Sequence, residues 1–128
     1  MDRSDCGQDG LDFELRTVNM DLQFTAGTSG AVPTTFTYAK GVKSVVLTST
    51  EYLVTFQDVY AGFLNVYATV LQATPSATTA QYGEPTTVNV GAASTAPNTV
   101  GITFKKGDGT ATALSTGDIA YITFRLKR

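Results

Sequence analysis

The sequence has no histidine, no tryptophan and a single cysteine, Cys6, among its 128 residues. Without histidine, the chain cannot form Ser–His or Cys–His nucleophile pairs, histidine-based acid–base sites or histidine-ligated zinc sites. A lone cysteine forms no internal disulfide, so the cysteine content does not indicate an oxidising compartment. These absences predict a protein that is not an enzyme and that binds no cofactor or metal.

Charged residues are also scarce, at 16% of the chain, and they are unevenly distributed. Residues 1–21 carry six acidic and two basic side chains, whereas residues 105–128 carry five basic and two acidic ones. No basic patch is interleaved with aromatic residues, which argues against nucleic-acid binding. The acidic start and the basic end either attract each other between neighbouring copies or are simply solvated.

Long apolar runs are missing as well. None approaches the ~20 residues that a membrane-spanning helix needs. Residues 1–5 (MDRSD) lack the apolar centre of a signal peptide. We therefore expect a soluble protein, made in a cytoplasm, with no membrane partner.

Short segments rich in alternating apolar or β-branched residues predict about eight strands. The clearest is at Val18, Met20, Leu22 and Phe24, which alternate with polar residues as in a strand with one buried face. Glycine, proline, serine and threonine dominate the segments between the strands. The predicted strands are 18–24, 34–39, 42–48, 52–57, 64–70, 86–90, 99–105 and 118–126.

Residues 58–73 (DVYAGFLNVYATVLQA) are compatible with two structures. Apolar residues from Val59 to Leu71 recur every four positions, as on one face of a helix. Gly62 interrupts that pattern, and the β-branched residues after it favour a strand. We predict a turn over 58–63 followed by a strand.

Many short strands and no long helix predict an all-β fold, either a β-sandwich or a jelly roll. Residues 1–16 are polar and acidic at first, and we predict a flexible N-terminal arm there. Residues 17–128 show no change of composition and no repeat, so they are predicted to form one domain.

Two features invite a chemical interpretation. The segment 106–110 (KGDGT) is similar to a calcium or phosphate loop, but Asp108 is its only carboxylate and no helix follows, so a tight turn is favoured. The remaining carboxylates lie at predicted turns or strand ends, where solvated turn residues are expected: Glu51, Asp58, Glu84 and Asp118.

The six tyrosines could form a sugar-binding platform, since aromatic faces pack against pyranose rings. Most of them fall inside predicted strands, which favours core or subunit packing instead. Tyr82 is the exception, because it lies in the predicted long loop 74–85.

Three segments resemble small virion proteins of tailed, especially marine, bacteriophages: 32–46 (VPTTFTYAKGVKSVV), 52–70 (YLVTFQDVYAGFLNVYATV) and 107–127 (GDGTATALSTGDIAYITFRLK). The shared layout is a strand pair, an L-x-V-x-A-x-V strand and a terminal hairpin around a Gly/Ala-rich turn. The resemblance implies an all-β subunit associated with the capsid or a fibre, and a homotrimer. It carries no catalytic residue.

We therefore expect a capsid decoration (cement) protein on the virion surface, with copies of itself and the major capsid protein as partners. Leu11, Phe13 and Leu15 lie beside a charged tail without an obvious partner, so they are the predicted interface with a neighbour. The alternative is a receptor- or glycan-binding head of a fibre or adhesin, which would use loops 25–32 and 74–85.

Overall fold

The computed structural model of the chain describes residues 17–91 and 98–128, which form an all-β domain. Within these ranges one 3₁₀ turn, Thr28–Gly30, is the sole helical element, and no helix is long and apolar enough to span a membrane. The all-β prediction is confirmed. The seven strands are β1 (Thr17–Thr25), β2 (Val42–Thr48), β3 (Glu51–Phe56), β4 (Gly62–Leu71), β5 (Tyr82–Asn89), β6 (Thr99–Lys105) and β7 (Ile119–Lys127).

All seven strands belong to one antiparallel sheet, in the order β1-β7-β4-β5-β6-β3-β2. The narrowest junction is between β4 and β5, where only Ala68 with Gly83 and Thr69 with Tyr82 are in register. The sheet curls over its core, because Phe56 of β3 contacts Phe124 of β7 with ring centroids 5.0 Å apart. We therefore describe the fold as one curled sheet, and the finer sandwich or jelly-roll description stays a prediction.

The core follows from the alternation of side chains along each strand. In β1 every second residue from Met20 to Phe24 is buried, and in β7 the same holds from Ala120 to Leu126. β3 contributes Tyr52, whose ring lies 5.8 Å from that of Phe24 and 5.5 Å from that of Phe104. The inner faces of strands that are far apart in the sheet order thus meet in one apolar cluster.

The Tyr52 hydroxyl connects two loops inside this core. It donates a hydrogen bond to the carbonyl oxygen of Gly30 at 2.7 Å and accepts one from the backbone N–H of Leu114 at 3.2 Å. Burial raises the pKa of this hydroxyl above its ordinary value. The loop that follows β1 and the segment that precedes β7 are therefore fixed to the same side chain.

One predicted strand is absent from the described residues. Residues 34–39 form no strand, and only Tyr38 makes an isolated bridge, to Gln23 of β1. Phe36 instead packs edge-on against Phe24, with centroids 5.9 Å apart, so the apolar side chains here cover the core. There are consequently seven strands in the described ranges rather than about eight.

The predicted loop 74–85 ends too late, because β5 already begins at Tyr82. Pro85 suggests a loop, since proline has no backbone N–H and cannot donate a hydrogen bond to a neighbouring strand. The sheet accommodates it through a register shift between Pro85 and Thr87. The choice between helix and strand over 59–71 is resolved in favour of a strand, β4, as predicted.

The resemblance also implies a hairpin at the end of the chain, and this prediction is wrong. The tight turn at 106–110 is present, with the N–H of Gly109 donating to the carbonyl of Lys106 at 3.0 Å. It closes a single bridge, Lys105 with Ala111, and β6 and β7 are not neighbours in the sheet. After the turn, the chain buries the Leu114 side chain in the core and then enters β7, which lies beyond β5 and β4 in the sheet order.

Candidate binding surface

The tyrosines do not mainly fill the core. Tyr52 and Tyr60 are buried, as predicted. The other four keep between 37% and 65% of their surface exposed. Core packing is therefore wrong for Tyr38, Tyr67 and Tyr121, whereas packing against another subunit stays a prediction. We call these four the tyrosine face: Tyr38, Tyr67, Tyr82 and Tyr121.

Strand alternation explains why the tyrosine face points outwards. On β7, Ala120 and Ile122 face the core, so Tyr121 between them faces solvent. On β4, Ala68 is buried and Tyr67 is exposed for the same reason. The same period-two pattern is readable in the sequence, and it was a better guide to these tyrosines than their aromatic character.

The strand register places three tyrosines in one row across the sheet. Tyr38 bridges Gln23 of β1, and Gln23 lies opposite Tyr121 of β7. Tyr121 lies opposite Thr69 of β4, and Thr69 lies opposite Tyr82 of β5. Because neighbouring strands are about 4.8 Å apart, the backbones of Tyr38 and Tyr121 are separated by about 10 Å, with Gln23 between them.

A groove of about 490 Å³ lies between Tyr38 and Tyr121. Asp21 forms part of its wall, where its Oδ1 atom accepts a hydrogen bond from the Thr123 hydroxyl at 2.8 Å. No residue in the two described ranges hydrogen-bonds to the tyrosine hydroxyls or to the Gln23 side chain. We call this the tyrosine groove; its lining is Asp21, Gln23, Thr37, Tyr38, Tyr121, Ile122 and Thr123.

A second depression, of about 330 Å³, continues the tyrosine groove along β1. The two share Asp21 and Tyr38, and the second extends past Asn19 and Lys40. The concave surface is therefore elongated along the strand. Its walls combine aromatic rings with hydroxyl, amide and carboxylate groups and the Lys40 ammonium.

A different feature occurs at the opposite end of the strand order. β2 pairs with β3 on one side, and no strand of the described chain pairs with its other side. Val46 on this strand is 52% exposed, and Lys43 is the only charged residue of the seven. Natural proteins usually protect an edge with charges, prolines or bulges. Here Lys43 and a register shift between Val42 and Ser44 protect the start of β2, whereas the rest of the strand has no charge, proline or register shift.

The carboxylates are held in structural roles, not gathered at one site. The Thr86 and Thr87 hydroxyls donate to Glu51 Oε2 at 2.6 and 2.7 Å, and these hydrogen bonds lower the pKa of Glu51. Glu84 pairs with Lys105 at 2.6 Å. Throughout residues 17–91 and 98–128, no three His, Cys, Asp or Glu side chains are placed to hold a metal ion.

The expectation of a solvated turn residue is wrong for Asp118. Its side chain is buried, with Oδ1 accepting from the backbone N–H of Ala73 and Oδ2 from that of Ser115, both at 2.9 Å. The expectation fits Asp108, which is exposed and accepts from the Thr110 N–H at 2.9 Å. That hydrogen bond lowers the pKa of Asp108.

The residues singled out from the sequence do not form the groove. Leu11, Phe13 and Leu15 lie outside the described residues, so their interface role stays a prediction. Loop 25–32 is held by the Tyr52 hydroxyl, and the Gln72 side chain hydrogen-bonds to Ser76 and Ala80 in loop 74–85. Neither loop lines the tyrosine groove.

Comparison with known proteins finds no matching family model, no similar curated protein and no similar solved structure. A functional interpretation therefore depends on two surfaces described above. One is the tyrosine groove over β1 and β7, and the other is the free edge of β2.

Proposed function

We propose that the protein is a non-catalytic structural subunit of a bacteriophage virion, a capsid decoration (cement) protein on the outer surface of the head. The single observation that carries this proposal is the free edge of β2, a ready site for association. The resemblance of segments 32–46, 52–70 and 107–127 to small phage virion proteins supplies the virion context.

An unpaired strand edge binds another chain through its backbone N–H and C=O groups. The exposed Val46 adds apolar surface beside those groups. Only Lys43 provides a charge that would repel a partner or keep the edge solvated. A strand from a second copy, as in a homotrimer, or from the major capsid protein would satisfy this edge.

The proposed role needs no chemistry beyond binding. A protein that binds the assembled shell and not its free subunits stabilises the shell by mass action. Repeated sites over the head add avidity to contacts that are individually weak. Leu11, Phe13 and Leu15 are proposed to contact the neighbouring capsid subunit, as an arm that leaves the domain before Thr17.

The test is a pair of valine substitutions. Val46→Lys places a charge on the free edge, whereas Val88→Lys changes a valine of similar exposure, 48% against 52%, on β5, a strand inside the sheet order that is paired with Val100 of β6 at this position. Purified variants are mixed with heads that lack the protein, and the bound amount per major capsid subunit is measured after sedimentation.

We expect the unchanged protein and Val88→Lys to bind at the same fixed ratio and Val46→Lys to lose most of its binding. Equal binding by both variants would remove the β2 edge from the proposal. Association of the unchanged protein with tails instead of heads would contradict the decoration role itself.

The second candidate function is a glycan- or receptor-binding head of a fibre or adhesin. The observation that favours it is the tyrosine groove, which has the composition of a sugar-binding surface. Tyr82, the residue predicted to carry this function, lies in the same row but does not line the groove. In this second candidate function, Tyr38 and Tyr121 are the tyrosines that would contact the sugar.

A further inference from the structure

We infer that the tyrosine groove is a binding site for a neutral carbohydrate chain. This inference goes beyond the decoration role and deepens the glycan-binding alternative, on whose recognition chemistry it rests. It assigns a ligand class to outward-facing residues of β1 and β7 and to Tyr38; of the groove lining, Ile122 alone belongs to the core.

The spacing of the two tyrosines is the first argument. Tyr38 and Tyr121 lie in one row on either side of Gln23, with backbones about 10 Å apart. The Gln23 side chain lies between them, so a flat sugar ring would lie above Gln23 with a tyrosine ring on either side. The face of a tyrosine ring packs well against the C–H face of a pyranose, and its hydroxyl remains available for hydrogen bonding.

The polar groups of the groove are the second argument. The Gln23 amide both donates and accepts hydrogen bonds, as do the tyrosine hydroxyls, and none of them has a partner among the residues described. The Asp21 carboxylate accepts from Thr123 and has further acceptor capacity. A ligand with many hydroxyl groups in fixed positions suits such a set better than an apolar molecule does.

Charge distinguishes a neutral carbohydrate from an anionic ligand. Asp21 is the only ionisable carboxylate of the tyrosine groove, and no lysine or arginine lines it. Lys40 lies in the adjoining depression and not in the groove itself. An anionic group would therefore be repelled by Asp21 within the groove, and Lys40 could attract one only in the adjoining depression. A hydroxyl group donates to the carboxylate without that cost.

The length of the concave surface points to a chain and not a single sugar. The tyrosine groove and the adjoining depression run along β1 from Asn19 to Gln23 and share Asp21 and Tyr38. Five strand residues span about 13 Å, because each step along a strand advances about 3.3 Å. More than one sugar ring fits along that distance.

The experiment is a titration of the full chain with defined oligosaccharides. The probes are neutral linear tetrasaccharides of glucose, galactose and mannose, with tetragalacturonic acid as the anionic counterpart. Binding is followed by calorimetry and by the NMR shifts of the Gln23 and Thr123 backbone amides. Tyr121→Ala and Tyr38→Ala are the test variants. Tyr67→Ala is the matched control, because Tyr67 is the most exposed tyrosine and does not line the groove.

We expect at least one neutral tetrasaccharide to bind, and each groove variant to weaken it by about tenfold, as for loss of one aromatic contact. Tyr67→Ala should leave the affinity unchanged, and tetragalacturonic acid should bind more weakly than the neutral chain. All variants keep the circular dichroism of the unchanged protein, since the replaced side chains are exposed.

Four results would overturn the inference. The first three are no binding of any neutral probe, an equal loss with Tyr67→Ala, and tighter binding of the anionic probe. A fourth is a change of oligomeric state in Tyr121→Ala, which would make the groove an interface between copies. None of these results bears on the Val46→Lys experiment, so failure here and failure of the decoration role are distinguishable.

Discussion

Glu51 shows how one side chain can hold two strands together on the outer surface of the sheet. It begins β3 and reaches over Gly101 of β6 to the hydroxyls of Thr86 and Thr87 on β5. A side chain at position 101 would occupy the space that the carboxylate uses. The absence of a side chain at Gly101 therefore permits the contact that lowers the pKa of Glu51.

This hydrogen-bonded carboxylate predicts a pH dependence of stability. A pKa that is lowered in the folded state contributes stability above the ordinary value, 4.5 for Glu51, and that contribution is lost as the pH falls through the lower, folded-state pKa. Replacing Thr86 and Thr87 together by valine removes both donors. The fall in melting temperature between about pH 6 and about pH 3 should then be smaller than in the unchanged protein.

The control is Thr69→Val, because Thr69 is an exposed strand threonine and, among the described residues, its hydroxyl makes no hydrogen bond to a carboxylate. It should leave the pH dependence unchanged. Melting is followed by circular dichroism, and only the difference between the two pH values is compared, so a general loss of stability in the double variant does not matter. An unchanged difference would show that Glu51 contributes nothing through these hydroxyls.

Tyr121 illustrates what the sequence could and could not indicate about the candidate site. Its position between Ala120 and Ile122 places it on the outer face by alternation alone. Its aromatic character suggests burial, and that general tendency is wrong here. Pairing with Gln23 and the proximity of Tyr38 depend on contacts between distant parts of the chain, which periodicity does not encode.

At the scale of elements, local patterns predicted most strands well. All strands except β5 begin and end within two residues of the predicted limits. The errors have tertiary causes. Residues 34–39 cover the core through Phe36, and Pro85 is tolerated at a register shift. The strand order was not readable, because β6 and β7 are consecutive in the chain yet lie in different parts of the sheet.

The junction between β4 and β5 makes a prediction about Gly83. A Cβ atom there would lie 2.8 Å from Ala68 Cβ and 2.9 Å from a Phe104 ring atom. Gly83→Ala should therefore force the two strands apart where only two residue pairs join them, at a cost of about 1–3 kcal/mol in the free energy of unfolding. Urea denaturation measures this cost.

Gly62→Ala is the control for this substitution, because a Cβ at Gly62 comes no nearer than 3.7 Å to another atom. Replacing a strand glycine without a clash leaves stability unchanged or raises it slightly, since the unfolded chain becomes less flexible. If Gly83→Ala matched Gly62→Ala, the close contact of β4, β5 and β6 at Phe104 would not restrict residue 83.

At the scale of the whole molecule, the fold separates its stability from its two binding surfaces. The core lies on the inner faces of the strands, whereas the tyrosine groove and the free edge of β2 use outward side chains and backbone groups. Substitutions at exposed positions such as Val46 and Tyr121 touch neither the core nor each other's strands. Their effects on binding should therefore be measurable in folded protein and should be independent.

The same separation predicts the result of deleting residues 1–16. The buried apolar residues described here lie between Met20 and Leu126, so the shortened chain should keep its melting temperature. Its affinity for heads should fall by about tenfold or more, because the proposed contacts of Leu11, Phe13 and Leu15 are lost. A full-length variant with these three residues changed to serine controls for chain length and should bind as weakly as the deletion. Full binding by the deletion would exclude an arm that reaches a neighbour, whereas a lower melting temperature would make residues 1–16 part of the fold.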